Sequence, residues 1–230
     1  MREIILDTET TGLSPADGHR IVEIGAVELF NHLPTGKTLQ LYLNPERDMP
    51  KEAEAIHGIS SAFLKDKPTF KNKAKEFLEF IEQSVLIIHN ASFDMAFINA
   101  ELSNAGVEKI GNERVVDTLA MARRTHPMGP NSLDALCKRY GIDNTKRTKH
   151  GALMDAELLS EVYLELIGGR QTAMSLKSEK KKQFSAVQTQ SSFNKNRPNT
   201  LPPRMTMQEK CQHDKILADL GPESIWQQIS

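Results

Sequence analysis

Two acidic residues stand directly after an apolar run near the start of the chain. Asp7 and Glu9 follow Ile4-Ile-Leu6, which has the apolar character of a strand that is buried on both faces. Residues two apart on a strand share a face, so both carboxylates point to one side of the sheet. Burial of two like charges is unfavourable unless a cation neutralises them or one takes a proton. This pair alone leaves two interpretations open: a metal site, or two solvated residues of the following turn.

Two further acidic residues lie on the inward sides of expected helices. In a helix over about 92–104, Asp94 falls among the apolar residues, and Ser92 is better placed than Asp94 to cap the helix. In a helix over 152–167, Asp155 also falls among apolar residues and lies near the face opposite the solvated glutamates. The solvated stripe consists of Glu157, Glu161 and Glu165. Four acidic side chains are therefore predicted to point inward from one strand end and two helices.

Such a cluster has the ligand chemistry of a metal-dependent phosphodiester hydrolase. Hard divalent cations prefer oxygen ligands, and two of them about 4 Å apart clamp the attacking and leaving oxygens of a phosphodiester. Histidine and cysteine do not cluster, which favours Mg²⁺ or Mn²⁺ over zinc. His150 is expected on the loop that enters the helix of Asp155, where a neutral imidazole can take a proton from an attacking water. A structural role for this histidine is the alternative.

The elements that must position these residues indicate an α/β fold. The first third of the chain reads as an antiparallel meander of three strands, over about 3–10, 20–30 and 37–43. A helix capped by Thr69 follows, and strands are then expected at 85–88 and 114–117. Further helices are expected near 118–125 and 132–140. Strands first and strand–helix alternation afterwards predict a mixed five-stranded sheet flanked by helices.

Composition excludes several classes of protein. The 230 residues carry a formal net charge of −1, which divides into −5 for residues 1–176 and +4 for residues 177–230. An acidic body argues against a purely electrostatic nucleic-acid binder. No apolar run reaches the ~18 residues of a membrane span, and no secretory leader is evident. Cys137 and Cys211 form neither a disulfide framework nor a zinc motif, which suits a reducing cytoplasm.

A change in composition marks the end of the expected domain. Gly168-Gly169 ends the last helix, and few apolar residues occur between 177 and 209, so this stretch is predicted to be a disordered linker. A small apolar cluster around Trp226 follows at the end of the chain, within 210–230. It has no core to join and suits the groove of a partner protein.

Three segments together resemble the motifs of the DEDDh 3′–5′ exonucleases. These are Asp7-Thr-Glu9, Asn90-Ala-Ser-Phe-Asp94 and His150-Gly-Ala-Leu-Met-Asp155, in that order. Within that family, 133–140 and 146–151 are most similar to the proofreading subunits of bacterial DNA polymerase III. The resemblance covers about residues 2–176 and implies a ribonuclease H-like exonuclease domain over 1–170, acting on DNA 3′ ends.

The resemblance also implies roles for individual residues. Asp7, Glu9, Asp94 and Asp155 would hold two Mg²⁺ or Mn²⁺ ions, and His150 would be the general base. Asp7, Glu9 and Asp155 would also contact the substrate, together with Glu52 and His57 at the terminal nucleotide. The backbone of Thr10, Thr11 and Gly12 would approach the scissile nucleotide. The remaining histidines match no catalytic position: His19, His32, His89, His126 and His213.

The tail is similar to those proofreading subunits in its layout. Residues 171–176 resemble a sliding-clamp-binding peptide, with Gln171, Met174 and Leu176 at the contact positions. Residues 210–230 would bind the polymerase alpha subunit beyond the linker. The resemblance places the protein in the bacterial cytoplasm, at the replisome and nucleoid, with no membrane partner.

Two other functions share these features. A 3′ trimmer of RNA has the same three motifs but no evident need for the peptide, linker and apolar end. A non-catalytic subunit that bridges polymerase and clamp would need the tail but not the five motif residues. Proofreading hydrolysis of DNA with release of nucleoside 5′-monophosphates accounts for both the five motif residues and the tail.

Overall fold

The computed structural model describes residues 1–145, 147, 149–168 and 206–219. The chain divides into two units, Met1–Leu176 and Lys177–Ser230. The predicted clamp peptide 171–176, most of the predicted linker and Trp226 lie outside the described residues.

The first unit is built on a mixed five-stranded sheet, as the sequence predicts. Its strands are β1 Arg2–Thr10, β2 Ile21–Phe30, β3 Leu33–Tyr42, β4 Val85–Ile88 and β5 Val115–Asp117. Their order is β3-β2-β1-β4-β5, with β1–β2 and β2–β3 antiparallel and the pairs β1–β4 and β4–β5 parallel. β1 is therefore the central strand, which is the reason for its unbroken apolar run.

Helices cover both faces of this sheet. They are α1 Lys51–His57, α2 Ser61–Leu64, α3 Phe70–Ile81, α4 Ala91–Asn104, α5 Thr118–Thr125, α6 Leu133–Tyr140 and α7 Ala152–Leu166. One core cluster joins Ile4 and Leu6 to α3 and α4, and the other joins Ile5 to α5, α6 and α7. Alternation along β1 thus directs odd-numbered residues toward α7 and even-numbered residues toward α4.

Two local predictions differ from the structure. β3 begins at Leu33 rather than near Lys37, because Asn31 and His32, with φ of 49° and 67°, close a two-residue turn that carries the pairing up to Phe30 and Leu33. Ser92 does not cap α4, because Asn90 takes the cap position with φ of 63° and the helix begins at Ala91. Thr69 does precede α3, although its side chain makes no capping hydrogen bond.

The second unit contains a helix that the sequence did not indicate. α8, Met207–Asp219, includes the last three residues of the predicted linker. A reciprocal cap begins it: the Glu209 carboxylate accepts from the Thr206 N–H at 2.8 Å, and Thr206 Oγ1 accepts from the Glu209 N–H at 3.3 Å. α8 buries no side chain.

Neither cysteine forms a disulfide, since Cys137 is buried and free and Cys211 is exposed and free. Within the described parts of the chain, every helix is too short or too polar to cross a membrane.

Gly25 on β2 allows α7 to approach the sheet closely. A Cβ atom at this position would lie 2.1 Å from the main-chain carbon of Ala152 and 2.1 Å from the nitrogen of Leu153. We expect Gly25→Ala to lower the free energy of unfolding by about 1–3 kcal/mol, because backbone atoms must shift to make room. Denaturant unfolding measures this, with Gly151→Ala as the control because a Cβ there meets nothing within 4 Å. Equal stability of the two variants would contradict the close contact.

Candidate active site

The predicted acidic residues meet in one cleft at the end of β1. Asp7 and Glu9 reach it from β1, Asp94 from the first turn of α4 and Asp155 from the first turn of α7. The register of β1 with β2 shifts between Glu9 and Thr10, which ends the regular pairing at the cleft. The cleft encloses about 1110 Å³. The structure therefore brings together all four predicted metal ligands, and it rejects the solvated-turn alternative for Asp7 and Glu9.

Asp94 is held by the neighbouring strands. Its side chain is buried, and its Oδ1 accepts a hydrogen bond of 2.7 Å from the Thr8 hydroxyl. Asn90, just before α4, donates its backbone N–H to Asp117 Oδ1 at 3.1 Å. Asp117 lies at the end of β5 and also caps α5. These bonds fix the start of α4, and with it Asp94, against β1 and β5.

Asp155 is positioned by contacts at the start of α7. Glu23, which lies opposite Glu9 in the β1–β2 pairing, accepts the Ala152 N–H at 3.2 Å. The other oxygen of Glu23 accepts from Gln40 Nε2 at 2.8 Å. A carboxylate at a helix N-terminus satisfies an otherwise free N–H and the helix dipole. Glu23 thus ties the first turn of α7, which carries Asp155, to the strand beside Glu9.

His150 stands on the loop before α7, as the sequence predicts. Its backbone N–H donates to the Ile56 carbonyl at 3.3 Å, and its Nδ1 lies 3.3 Å from Asp155 Oδ2. The ring is about half exposed and lines the cleft. Glu9, His150 and Asp155 each offer one possible ligand atom, and these three atoms lie within 4.8 Å of one another. This places the imidazole beside the carboxylates, at the mouth of the cleft.

The carboxylates are short of positive charge. Burial, followed by the charges of Asp94 and Asp155, raises the pKa of Asp7 well above its ordinary value. Burial and the charge of Asp155 raise the pKa of Glu9 to about 8. Burial also raises the pKa of Asp94 to about 7, although the hydrogen bond from Thr8 opposes the shift. The positive charge of Arg147 lowers the pKa of Asp7 and Glu9 but offsets only part of this crowding, and added cations or protons relieve the rest.

This donor set fits divalent metal ions. Every predicted ligand is a carboxylate, and the groups come from three elements whose positions are fixed by the contacts described above. Hard cations of the Mg²⁺ type prefer oxygen donors. The crowding that raises the pKa values of Asp7, Glu9 and Asp94 is the condition that bound cations relieve.

A second pocket of about 580 Å³ adjoins the cleft. Both predicted nucleotide-contact residues line it: Glu52 is exposed, and His57 is buried. His57 Nδ1 accepts the Ile59 N–H at 3.0 Å, and among the described residues its buried Nε2 has no hydrogen-bond partner. Burial lowers the pKa of His57. The predicted backbone segment, Thr10, Thr11 and Gly12, forms another wall.

Sequence reasoning missed several residues of these pockets. His89 lines the cleft and His19 lines the second pocket, where its Nδ1 lies 3.1 Å from Thr11 Oγ1. Thr8 and Arg147 contact predicted site residues directly, whereas Glu23 binds the backbone of Ala152 at the start of the helix that carries Asp155. The period of β1 could have pointed to Thr8, because it shares the face of Leu6 toward α4. His32, His126 and His213 contact other residues: Glu3, Tyr140 and Asp214, respectively.

The raised pKa values predict how pH changes the stability of the metal-free protein. A carboxyl whose folded pKa exceeds its unfolded one stabilises the fold while protonated, and this contribution is lost as pH rises through the folded value. For Glu9 and Asp94 the loss extends from their ordinary pKa values of 4.5 and 3.8 up to about 8 and about 7. In EDTA we expect the Tm to fall from pH 6 to pH 9, and less steeply in Glu9→Gln. Parallel pH profiles for the two proteins would contradict the crowding of Glu9.

A mixed sheet covered by helices, with an acidic cleft at the end of its central strand, defines a class of metal-dependent nucleases. A family model described as Exonuclease matches residues 4–163. The nuclease domain of 3′hExo, a DEDDh family member bound to rAMP, shares the fold with a TM-score of 0.63 at 18% identity. That match covers 72% of this chain and 91% of that one.

Two curated relatives are more similar in sequence. The DNA polymerase III subunit epsilon of Rickettsia felis is 50% identical over 96% of this chain and 97% of its own length. The subunit epsilon of Escherichia coli is 49% identical over 77% of this chain and 76% of its own length. The chain therefore belongs to the exonuclease family, among the epsilon subunits of DNA polymerase III. Divalent-metal dependence is a property of that DEDDh family.

Proposed function

We propose that this chain is the proofreading 3′–5′ exonuclease of a bacterial DNA polymerase III. It hydrolyses the terminal phosphodiester at a DNA 3′ end and releases nucleoside 5′-monophosphates. The observation that carries the proposal is the convergence of Asp7, Glu9, Asp94, Asp155 and His150 on one cleft. The relatives that are named DNA polymerase III subunit epsilon support the choice of DNA over RNA.

Asp7, Glu9, Asp94 and Asp155 would hold two Mg²⁺ or Mn²⁺ ions. Bound there, such ions supply Lewis-acid stabilisation of the charge that develops on the attacking and leaving oxygens. The protein's own part is to hold the carboxylates rigidly, through Thr8 at Asp94 and Glu23 at the start of α7. Rigid placement means that little reorganisation is needed as the phosphodiester reacts.

His150 takes the proton from the attacking water. Its position beside Asp155 supports this role, because a carboxylate next to an imidazole fixes the ring and stabilises its protonated form. Exposure on the cleft rim lets the ring pass the proton on to solvent.

The second pocket receives the terminal nucleotide. The Nε2 of His57, for which the described residues provide no hydrogen-bond partner, can donate to this nucleotide, and the exposed carboxylate of Glu52 can accept from its sugar or base edge. Access to both pockets requires a strand end that has left the duplex, and a mismatched end leaves more readily because less pairing energy opposes it. Selectivity for mismatches therefore comes largely from the DNA.

The test is hydrolysis of labelled oligonucleotides by the isolated full-length chain in Mg²⁺. We expect the order single-stranded DNA, mismatched 3′ end, paired 3′ end, from fastest to slowest, with RNA of the same sequence slower than DNA and no hydrolysis in EDTA. Preference for RNA would favour the trimming enzyme. Lack of hydrolysis of any substrate in Mg²⁺ would favour the non-catalytic bridging subunit.

The tail connects the enzyme to its partners, the alpha subunit through 210–230 and the sliding clamp through Gln171, Met174 and Leu176. α8 supports a protein partner, because a 13-residue helix that buries no side chain is marginal alone and gains stability by packing. Such partners imply work in the cytoplasm, at the replication machinery on the nucleoid.

Deletion of 210–230 is expected to leave oligonucleotide hydrolysis intact and to abolish co-purification with the alpha subunit. The reason is that the residues lining the acidic cleft lie within 1–168, whereas the deleted segment carries all of α8 after its first three residues and the apolar end of the chain. Pull-down with purified alpha measures the change, with hydrolysis of single-stranded DNA as the control. Retention of alpha by the truncated chain would contradict the assignment.

A further inference from the structure

Arg147 makes the densest set of polar contacts in the cleft. Its Nε and Nη2 donate to the two oxygens of Asp155 at 2.6 and 2.7 Å, and its Nη1 donates to Asp134 Oδ1 at 2.6 Å. Nη2 also lies 2.7 Å from His150 Nδ1. The Arg147 side chain is only 7% exposed. One side chain thus engages both a predicted metal ligand and the predicted general base.

The contact with Asp155 uses the same atoms that a metal ion needs. A guanidinium that binds a carboxylate through two parallel hydrogen bonds occupies one of the two in-plane lone pairs of each oxygen. A cation placed on the same oxygens would also face the permanent positive charge of the arginine at short range. Arg147 and a divalent ion therefore compete for Asp155.

We propose that Arg147 is a latch on the metal site, and that its guanidinium holds Asp155 until a divalent cation displaces it. This inference rests on the proposed function, because it takes Asp155 as a metal ligand. Asp134 is the anchor of the latch: its carboxylate is largely exposed, and pairing with Arg147 lowers its pKa. Displacement of Arg147 breaks its hydrogen bonds to Asp155, whereas its hydrogen bond to Asp134 keeps the guanidinium at the cleft rim.

The latch also affects His150. An imidazole Nδ1 that accepts a hydrogen bond from Arg147 carries its proton on Nε2, so neither nitrogen is free to take a proton from water. Once Arg147 leaves, Nδ1 can donate to Asp155 Oδ2, which already lies 3.3 Å away, and Nε2 becomes the acceptor. Displacement of one side chain thus frees a ligand and a base together, which restricts hydrolysis to the metal-loaded enzyme.

Calorimetric titration of Mn²⁺ into the EDTA-stripped, full-length chain tests the latch without measuring activity. We expect Arg147→Gln to bind Mn²⁺ about tenfold more tightly than wild type, because no competing cation must be displaced. Arg147→Lys should also bind more tightly, since an ammonium cannot hold both oxygens. Asp134→Asn should also tighten Mn²⁺ binding, but by a smaller factor. Arg139→Gln, which removes an arginine bonded to Asn131 and Pro130, is the control and should match wild type.

The outcomes separate this inference from the metal assignment. Mn²⁺ binding that is lost in Asp155→Asn and tightened in Arg147→Gln supports both. Binding that Asp155→Asn abolishes but Arg147→Gln leaves unchanged or weakens overturns the latch alone. If Arg147→Lys binds Mn²⁺ with wild-type affinity, Arg147 acts only by charge repulsion at a distance, and this result also overturns the latch. A wild-type chain that binds no Mn²⁺ overturns the metal assignment, and the latch with it.

Discussion

Asp7→Asn is expected to lower the rate of 3′-end hydrolysis by about 10³-fold or more, because loss of one ligand from a metal site removes several kcal/mol of transition-state stabilisation. Asp7 is the residue on which the other acids converge: the charges of Asp94, Asp155 and Glu9 all raise its pKa. Single-turnover hydrolysis of a labelled single strand in Mg²⁺ measures the loss. Undiminished hydrolysis would refute the metal assignment.

The same variant provides its own control for folding. Asparagine matches aspartate in size and removes one charge from a crowded, water-poor cluster, so in EDTA the Tm of Asp7→Asn should equal or exceed that of wild type. Loss of activity together with retained or increased stability cannot come from misfolding. A large fall in Tm would mean that Asp7 holds the fold together rather than the metal.

His150→Gln is expected to reduce kcat by about 10²–10⁴-fold, the usual contribution of a positioned general base. Because ligand atoms of Glu9, His150 and Asp155 lie within 4.8 Å of one another, the alternative is that His150 is itself a metal ligand. The two roles separate by measurement. If His150 is the general base, His150→Gln leaves the Mn²⁺ affinity unchanged, and hydroxide partly restores the rate at high pH. If His150 is a metal ligand, the same variant binds Mn²⁺ more weakly.

His126→Gln is the matched control for this experiment. His126 bonds to the Tyr140 hydroxyl at 2.6 Å and does not line the cleft. Its replacement should leave both kcat and Mn²⁺ affinity unchanged. Weaker Mn²⁺ binding in His150→Gln, with no recovery of rate at high pH, would contradict the general-base role.

The parts of the site that follow from local periodicity could be predicted from sequence. The apolar run before Asp7 identified a central strand, and helical periodicity directed Asp94 and Asp155 inward, where both are 3% exposed. These inferences depend only on residues a few positions apart. The five strands were recognisable for the same reason, although the turn at Asn31-His32 hid the true start of β3.

The parts that depend on distant residues could not be predicted. The start of α4 at Ala91 depends on Asn90 binding Asp117, across 27 residues, and Glu23 caps a helix 129 residues away. The role of Arg147 is visible only in the folded chain, where its side chain contacts Asp155, Asp134 and His150. Residues that position other residues leave no local signal, because their role is defined by tertiary contact.

The most direct test of the metal assignment is anomalous scattering from crystals of the full-length chain grown with Mn²⁺ and a nucleoside 5′-monophosphate. We expect two peaks about 4 Å apart, ligated by Asp7, Glu9, Asp94 and Asp155. Arg147 should then lie off Asp155. Mn²⁺ bound elsewhere, with these four carboxylates unliganded, would contradict the assignment.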